Sequence, residues 1–220
     1  MIVTLFDLDE TLIDGKLIDT LALKYGFYYD LNRLRTNLKN GLISPEKVTK
    51  SMVKFLKGKT PMEIIKICNK IPLMPNAETV INSLKSRGLK IGIISDGFSI
   101  VADTFAERFR LDYSIGHDLE IINGKLTGNI HLVKDDEDYL TWKKAETQEI
   151  RRKTDSKIIA VGNEDIDAPM LEEADVGIAF NATPKARKAA DIVVNRKDMN
   201  EVLDAIDRTI LNHWLRVLEK

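Results

Sequence analysis

The 220-residue sequence lacks the features that define several special classes of protein. Its single cysteine, Cys68, excludes a disulfide framework and favours a reducing, cytoplasmic location. No apolar run approaches the roughly 20 residues that span a bilayer, so we expect no membrane partner. The segment MIVTLFDLDE enters a strand-like run without a basic region before it, so we expect no signal peptide.

A large net charge is also lacking, because 33 basic residues nearly balance 34 acidic ones and leave a net charge of −1. The average hides an asymmetry. Residues 14–75 hold 12 basic and 5 acidic residues, a charge of +7, and the remainder hold 21 and 29, a charge of −8. This split indicates two modules, an acidic one suited to cations and a basic one suited to anions, although solvated helix faces produce the same pattern.

What the sequence does contain is a regular alternation of two patterns. Short Ile- and Val-rich runs predict buried strands at 2–6, 90–95, 157–161, 176–180 and 191–194. Helical patterns lie between them at 76–88, 99–109, 143–153, 168–174 and 183–190. Strands that alternate with helices predict an α/β fold with a doubly wound parallel sheet.

Two segments interrupt the alternation. Residues 14–75 are helical in period throughout, which predicts an insertion after the first strand. Residues 119–133 predict a β-hairpin that turns at Asn123 and Gly124. We therefore predict a core of residues 1–13 and 76–220, which carries the hairpin, and a separate helical domain of residues 14–75.

Acidic and hydroxyl side chains stand where the first two predicted strands end. Asp7 and Asp9 follow the first strand, and Ser95, Asp96 and Gly97 follow the second. In open α/β sheets function collects at these strand ends. Two carboxylates there can reach one cation, and a hydroxyl with free N–H groups at a helix start can bind phosphate. Taken singly, each group is equally compatible with a solvated turn or a helix cap.

Two further features extend this pattern. Lys143 or Lys144 opens the helix before the strand at 157–161, and the segment VGNEDIDAPM (161–170) follows that strand. The polar side chains of this segment are Asn163, Glu164, Asp165 and Asp167. Together the four features can bind Mg²⁺, hold a phosphoryl group, screen its charge and offer a carboxylate nucleophile.

In this order the motifs resemble those of the haloacid dehalogenase-like phosphatases, and within them the phosphoserine phosphatase group. DLDETL (7–12) fits D-x-D-x-T-[LV], SDGF (95–98) resembles S-G-G-F, and VGNEDIDAPM corresponds to V-G-D-G-x-N-D-x-x-M. The resemblance covers nearly the whole chain. It implies a Rossmann-like core and a small helical cap at residues 14–75.

The resemblance also implies roles for individual residues. Asp7 would be the nucleophile that forms an aspartyl phosphate, Asp9 the proton donor and later the base, and Thr11 would orient their loop. Lys144 would neutralise charge, and it is preferred over Lys143 because KAE fits the family's K-G-E. The phosphate-binding residues would be Ser95, Asp96 and Gly97. The residues that hold Mg²⁺ would be Asp7, Asp9 through its backbone carbonyl, Asn163, and Asp167 through a metal-bound water.

Some residues depart from the family pattern. Asn163 stands where the family has a metal-binding aspartate, so we expect weakened metal binding unless Glu164 or Asp165 substitutes. Lys16 stands where phosphoserine phosphatases carry a glutamate for the substrate's ammonium group, and a lysine would attract an anion instead. The family's carboxylate-binding arginine falls at Ser51.

Asp96 replaces a glycine of the family motif. It would either repel phosphate or point away as a helix cap, and the sequence leaves both readings open.

We therefore expect a Mg²⁺-dependent phosphohydrolase that acts on a small phosphorylated metabolite with an additional anionic group. One alternative is a phosphoserine phosphatase proper, and another is a weakened or inactive phosphate-binding regulatory protein. We expect no nucleic-acid partner, because the basic segment has no recognisable nucleic-acid motif. A monomer or homodimer is expected.

Overall fold

The computed structural model describes the backbone of residues 1–134 and 136–218 and, within these, the side chains other than those of 136, 137 and 212–218. Its strands are β1 (Ile2–Phe6), β2 (Lys90–Phe98), β3 (Tyr113–Ile122), β4 (Lys125–His131), β5 (Lys157–Gly162), β6 (Val176–Phe180) and β7 (Ile192–Val194). They form one sheet in the order β4-β3-β2-β1-β5-β6-β7. All neighbours are parallel except β3 and β4, which are antiparallel.

Ten α-helices accompany the sheet within the described residues. They are α1 (Leu17–Tyr25), α2 (Tyr28–Lys39), α3 (Pro45–Val53), α4 (Pro61–Cys68), α5 (Ala77–Ser86), α6 (Ser99–Phe109), α7 (Trp142–Thr154), α8 (Ala168–Glu173), α9 (Pro184–Ala189) and α10 (Met199–Leu218). Two short 3₁₀ helices cover Lys54–Leu56 and Asp136–Thr141. None of the helices in the described part of the chain is long and apolar enough to cross a bilayer.

The predicted α/β fold with a doubly wound sheet is confirmed. Apolar side chains cover both faces of the sheet, because alternate strand residues point to opposite sides. Val3 and Leu5 of β1 pack in one buried cluster with Trp142, whereas Phe6 belongs to the larger cluster on the other face. β1 lies between β2 and β5, so the carboxyl ends of these three strands meet at the centre of the sheet.

Local signals in the sequence explain several element boundaries. Thr183 caps α9, as its hydroxyl accepts from the N–H of Ala186, and Pro184 follows at the first helical position. Asn123 and Gly124 both have positive φ, which matches the backbone twist of a two-residue hairpin turn.

Strand β2 is longer than predicted. We expected it to end at Ser95 and a helix to begin soon after, but it continues to Phe98, which pairs with His117 of β3 across an irregular register. Tertiary pairing with β3 extends this strand past the polar residues that ended it in the sequence pattern. Ser95, Asp96 and Gly97 therefore lie in an irregular strand segment.

Residues 14–75, here called the helical insert, contain helices α1 to α4. The two chain segments that connect it to the sheet run side by side, joined by backbone hydrogen bonds from Asp14 N to Pro72 O (2.8 Å) and from Met74 N to Leu12 O (2.9 Å). Ser44 and Thr60 cap α3 and α4. The insert also contacts the hairpin, because Gly58 N donates to Leu126 O and Leu126 N donates to Lys59 O.

Candidate active site

The floor of the candidate site lies where β1 and β5 end side by side. Asp7 is buried directly after β1, and its backbone N–H donates to the carbonyl of Val161 at 2.9 Å. Asp9 follows on the same turn, where its Oδ2 accepts from the N–H of Leu17 at the start of α1 (3.0 Å). The parallel pairing of β1 and β5 thus aligns the first acidic motif with the segment that follows Val161.

The lysine that reaches this floor is Lys143, and our preference for Lys144 was wrong. Lys143 is 1% exposed, and its Nζ lies 2.6 Å from Asp7 Oδ1 and 2.5 Å from Asp167 Oδ1. The side chain of Lys144 is 41% exposed and lies 3.8 Å from Glu173. The first helical turn of α7 decides this choice, because adjacent residues point about 100° apart.

Asp167 is held by the turn that follows β5. Its Oδ2 accepts from the backbone N–H groups of Asn163 and Glu164, both at 2.9 Å, while Oδ1 contacts Lys143. A Cβ on Gly162 would come within 2.9 Å of three atoms of the Asp167 side chain, so glycine is needed there. Both carboxylate oxygens of Asp167 are therefore engaged.

Asn163 joins the floor through Thr11. The buried Thr11 hydroxyl donates to Asn163 Oδ1 at 3.1 Å, so this amide is fixed beside the first acidic motif. The two carboxylates that could substitute for the missing aspartate have other partners. Lys16 donates to Glu164, and the Thr183 hydroxyl donates to Asp165 at 2.6 Å.

The floor carries more negative than positive charge. Burial, followed by the charge of Asp167, raises the pKa of Asp7 well above its ordinary value despite the opposing effect of Lys143. Burial raises the pKa of Asp9 to about 7. Burial alone would lower the pKa of Lys143, but Asp167 and Asp7 raise it, so the lysine stays charged. Three carboxylates share this one lysine.

No group of three or more His, Cys, Asp or Glu side chains is arranged to hold a metal ion within the described residues. Lys143 occupies the space between Asp7 and Asp167. A cation would therefore also need the amide oxygen of Asn163 or backbone carbonyls. One observation favours a cation at this site: Asp9 Oδ1 is buried and has no hydrogen-bond partner. Oxygen donors with excess negative charge suit a hard cation.

Ser95 is buried at the end of β2, and its hydroxyl accepts from the N–H of Gly97 at 3.0 Å. Of the two readings considered for Asp96, the helix cap is wrong, and the repulsion of phosphate stays a prediction. Its carboxylate accepts hydrogen bonds from His117, Tyr139 and Trp142, and helix α6 has no side-chain cap. Position in the sequence offered no signal for these three partners, because they come from β3, a 3₁₀ helix and α7.

A cavity of about 500 Å³ opens between the floor and the helical insert; we call it the site cavity. Asp7, Asp9, Ser95 and Asp167 line it from the core. Helix α3 contributes Pro45, Val48, Thr49 and Met52. These four share one helical face, and Ser51 lies on another, so the alignment that placed Ser51 at the substrate was wrong.

The cationic groups on the insert side of the cavity differ from those expected. Lys16 lines the cavity but is paired with Glu164 and, at 3.4 Å, with Glu10. Arg35 of α2, which the sequence patterns did not single out, also lines the cavity. Its guanidinium donates to both carboxylate oxygens of Asp19, at 2.6 and 3.1 Å.

Comparison with known proteins places this geometry in a family. A family model described as haloacid dehalogenase-like hydrolase matches residues 4–172. The phosphoserine phosphatase of Archaeoglobus fulgidus is 34% identical over 200 residues, which are 88% of this chain and 56% of that protein. The phosphoserine phosphatase of Lactococcus lactis is 29% identical over 92% of this chain and 94% of that protein.

Solved structures agree with these sequence matches. A substrate-bound phosphoserine phosphatase superimposes with a TM-score of 0.81 at 27% identity, covering 92% of this chain and 97% of that one. A phosphoserine phosphatase solved as a phospho-aspartyl intermediate analogue gives 0.80 at the same identity and coverage. The resemblance drawn from the motifs is confirmed, and the chain belongs to the haloacid dehalogenase-like hydrolase family, in its phosphoserine phosphatase-like group.

Proposed function

We propose that this protein is a Mg²⁺-dependent phosphatase that hydrolyses small phosphomonoesters through an aspartyl phosphate on Asp7. The observation that carries the proposal is the buried contact of Lys143 with both Asp7 and Asp167 at the meeting point of the strand ends. A fixed cation beside two buried carboxylates suits a reaction in which an anionic phosphoryl group approaches an anionic nucleophile.

In the proposed reaction a carboxylate oxygen of Asp7 attacks phosphorus, and the bond from phosphorus to the leaving alcohol breaks. Asp9 gives its proton to the leaving oxygen and then removes a proton from the water that hydrolyses the aspartyl phosphate. A pKa of about 7 for Asp9 supports both tasks near neutral pH. Lys143 offsets the charge that gathers on the phosphoryl oxygens, and Ser95 contributes a hydroxyl to bind them.

We assign Asp7, Asp9, Asn163 and Asp167 as the residues that would hold Mg²⁺. The excess of carboxylates over lysine supports this assignment, in which Asp9 would contribute its backbone carbonyl and keep its carboxyl for proton transfer. When bound, the ion would reduce the repulsion between the carboxylates and the phosphate. Asn163 supplies a neutral ligand, which supports weaker binding than an aspartate would allow.

The substrate we favour is a small phosphorylated metabolite with a second anionic group. A cavity of about 500 Å³ suits a small molecule. Arg35 is the better-supported receptor for the anion, because its planar guanidinium keeps donors that do not point at Asp19. Lys16 supports this role less, since Glu164 and Glu10 already balance its charge.

Phosphoserine itself is the second candidate, and the relatives favour it. The similar proteins from A. fulgidus and L. lactis are phosphoserine phosphatases. Phosphoserine also carries a carboxylate that Arg35 could receive. Hydrolysis of phosphoserine and of phosphoglycolate at equal concentration separates the candidates: phosphoserine phosphatase proper predicts at least about tenfold higher kcat/KM for phosphoserine.

The proposal is tested with purified protein, Mg²⁺ and p-nitrophenyl phosphate. We expect hydrolysis that EDTA stops and that Asp7→Asn reduces by at least about 10⁴-fold. If no phosphomonoester is hydrolysed, and calorimetry still detects phosphate binding, the regulatory alternative replaces the enzyme. If Asp7→Asn retains wild-type activity, the aspartyl phosphate route is wrong.

A further inference from the structure

The Asp96 carboxylate joins parts of the molecule that are distant in sequence. It lies within hydrogen-bond distance of Tyr139 Oη (3.0 Å), His117 Nε2 (3.1 Å) and Trp142 Nε1 (3.3 Å). These donors come from the 3₁₀ helix Asp136–Thr141, from β3 and from the start of α7. A fourth group, the Thr49 hydroxyl of α3, lies 2.8 Å from Tyr139 Oη.

The directions of these hydrogen bonds follow from their chemistry. A carboxylate only accepts, so Tyr139 donates to Asp96. The Thr49 hydroxyl has two acceptors in reach, Tyr139 Oη at 2.8 Å and the Pro45 carbonyl at 3.4 Å, and the shorter contact assigns its proton to Tyr139. The backbone N–H of Val133 donates to His117 Nδ1 at 3.2 Å, so Nε2 carries the proton of the neutral ring and donates to Asp96. The result is a chain of hydrogen bonds from Thr49 through Tyr139 to Asp96, which we call the relay.

Apart from Asp96, whose side chain is 35% exposed, the relay and its neighbours are shielded from water. Thr49 and Tyr139 are 5% and 2% exposed, and His117 and Trp142 are fully buried. Breaking a hydrogen bond here leaves a polar group without a partner inside the protein, which costs more than the same loss on the surface. Burial raises the pKa of Tyr139 above its ordinary value, so the phenol remains a donor.

Each end of the relay touches a different part of the candidate site. Thr49 lies on the face of α3 that lines the site cavity. Asp96 stands between Ser95 and Gly97, the residues proposed to bind phosphate. Trp142, which also donates to Asp96, directly precedes Lys143. One carboxylate thus connects the helical insert, the phosphate-binding segment and the start of the lysine helix.

We propose that Asp96 and Tyr139 are positioning residues that couple the docking of helix α3 to the placement of Ser95 and Lys143. The proposal rests on the proposed function and extends it. With the relay intact, a phosphate bound at Ser95 and Lys143 stabilises the docked insert. With the relay broken, the insert and the phosphate-binding segment respond independently.

A double-mutant cycle tests the coupling. Tyr139→Phe and Thr49→Val each remove a hydroxyl and keep the side-chain volume, and we expect each to lower kcat/KM for p-nitrophenyl phosphate by about 5- to 30-fold. The double variant should lose no more than the larger single loss, because both variants break the same chain. Losses that multiply would overturn the proposal, as would losses below twofold. Tyr113→Phe is the matched control, because Tyr113 lies at the start of β3, paired with Gly92 and away from Asp96.

Hydrogen exchange provides a readout that does not depend on turnover. Orthovanadate with Mg²⁺ should slow exchange of the α3 amides in the wild type, and Tyr139→Phe should abolish this protection while retaining vanadate binding. A merely structural role would lower the melting temperature and leave the vanadate-dependent protection in place. If the wild type hydrolyses phosphomonoesters but vanadate does not slow exchange of the α3 amides, the proposed coupling is wrong and the proposed function stands. If the wild type neither hydrolyses phosphomonoesters nor binds vanadate, the proposed function is wrong.

Asp96→Asn is a second variant that removes the acceptor itself. The amide of asparagine has an NH₂ group in place of one carboxylate oxygen, and this group would face the donors of the neighbouring side chains. We therefore expect a loss in kcat/KM at least as large as that of Tyr139→Phe. A smaller loss would contradict the central place of this carboxylate.

Discussion

The floor of the site cavity and its insert-side wall are built differently. On the floor, Asp7, Lys143 and Asp167 are almost fully buried and contact one another directly. On the wall, Lys16 and Arg35 are about one-third exposed and each is paired with an acidic neighbour. Groups on the floor have few alternative partners, whereas groups on the wall can exchange theirs with solvent.

This difference predicts a separation of tasks. A rigid and dehydrated floor suits the phosphoryl chemistry common to the family, since electrostatic effects are largest where water is excluded. A partly solvated wall suits the recognition of a leaving group. Substitutions that remove a charge from the floor should therefore lower the turnover of every substrate alike, and those on the wall should change the preference between substrates.

The largest difference in activity is expected between the variants Lys143→Met and Lys144→Met. Loss of the buried Lys143 charge leaves Asp7 and Asp167 facing each other, and we expect kcat to fall by about 10²- to 10³-fold. Lys144→Met should stay within about twofold, since only an exposed contact with Glu173 is lost. Steady-state kinetics on both variants measure this difference. Equal losses in kcat would contradict the proposed role of Lys143.

Asn163→Asp adds one negative charge to the floor. An added carboxylate beside Thr11 should tighten Mg²⁺ binding by about 5- to 150-fold, measured by calorimetry. Asn69→Asp adds the same charge at an exposed position of the insert and should change nothing. Unchanged affinity in Asn163→Asp would mean that this residue does not contact the ion.

The raised pKa of Asp9 predicts how metal and pH act together on stability. A carboxyl whose pKa rises from 3.8 to about 7 on folding binds its proton more tightly in the folded state. Its favourable contribution is therefore complete below pH 3.8 and is lost as the pH rises to 7, on the order of 4 kcal/mol. Without metal, the melting temperature should fall between pH 5 and pH 8.

Added Mg²⁺ should raise the melting temperature more at pH 8 than at pH 5.5, because the ion binds the ionised carboxylates. Thermal unfolding in EDTA and in Mg²⁺ measures both effects. Asp9→Asn should flatten the pH dependence of the metal-free protein. A Mg²⁺ effect that is equal at both pH values would contradict the assignment of ionised carboxylates as ligands of the ion.

The smallest expected effects lie on the wall. Arg35→Gln should lower kcat/KM for phosphoglycolate by about tenfold and leave ethyl phosphate within about twofold, because only the former carries a second anion. Lys16→Gln should change either substrate by less than about threefold, since Glu164 and Glu10 already neutralise this lysine. A larger effect of Lys16 than of Arg35 would reverse our ranking of the two cations.

The floor could be predicted from the sequence to a large extent. Asp7 and Asn163 each follow an apolar strand, Ser95 follows the apolar part of β2, and parallel pairing brings these positions together. The preference for Lys144 was wrong because a motif match cannot distinguish two adjacent lysines. In a helix, neighbouring residues point about 100° apart, so one of the two lysines is buried and the other is exposed.

The wall could not be predicted in the same way. Ser51 was selected by alignment across helices of uncertain length, and the cavity is lined by a different face of α3. Arg35 reaches the cavity from α2 and is distant in sequence from every motif. The angle between packed helices decides such contacts, and it depends on side chains from several elements at once.

By itself the sequence determined the order of strands and helices, the place of the helical insert and the acidic residues of the floor, because hydrophobic period and strand-end chemistry are local properties. Only the tertiary structure decided which lysine is buried, how far β2 extends, and that Asp96 binds His117, Tyr139 and Trp142. These outcomes depend on contacts between residues that are 19 to 136 positions apart, and such contacts leave no local pattern in the chain.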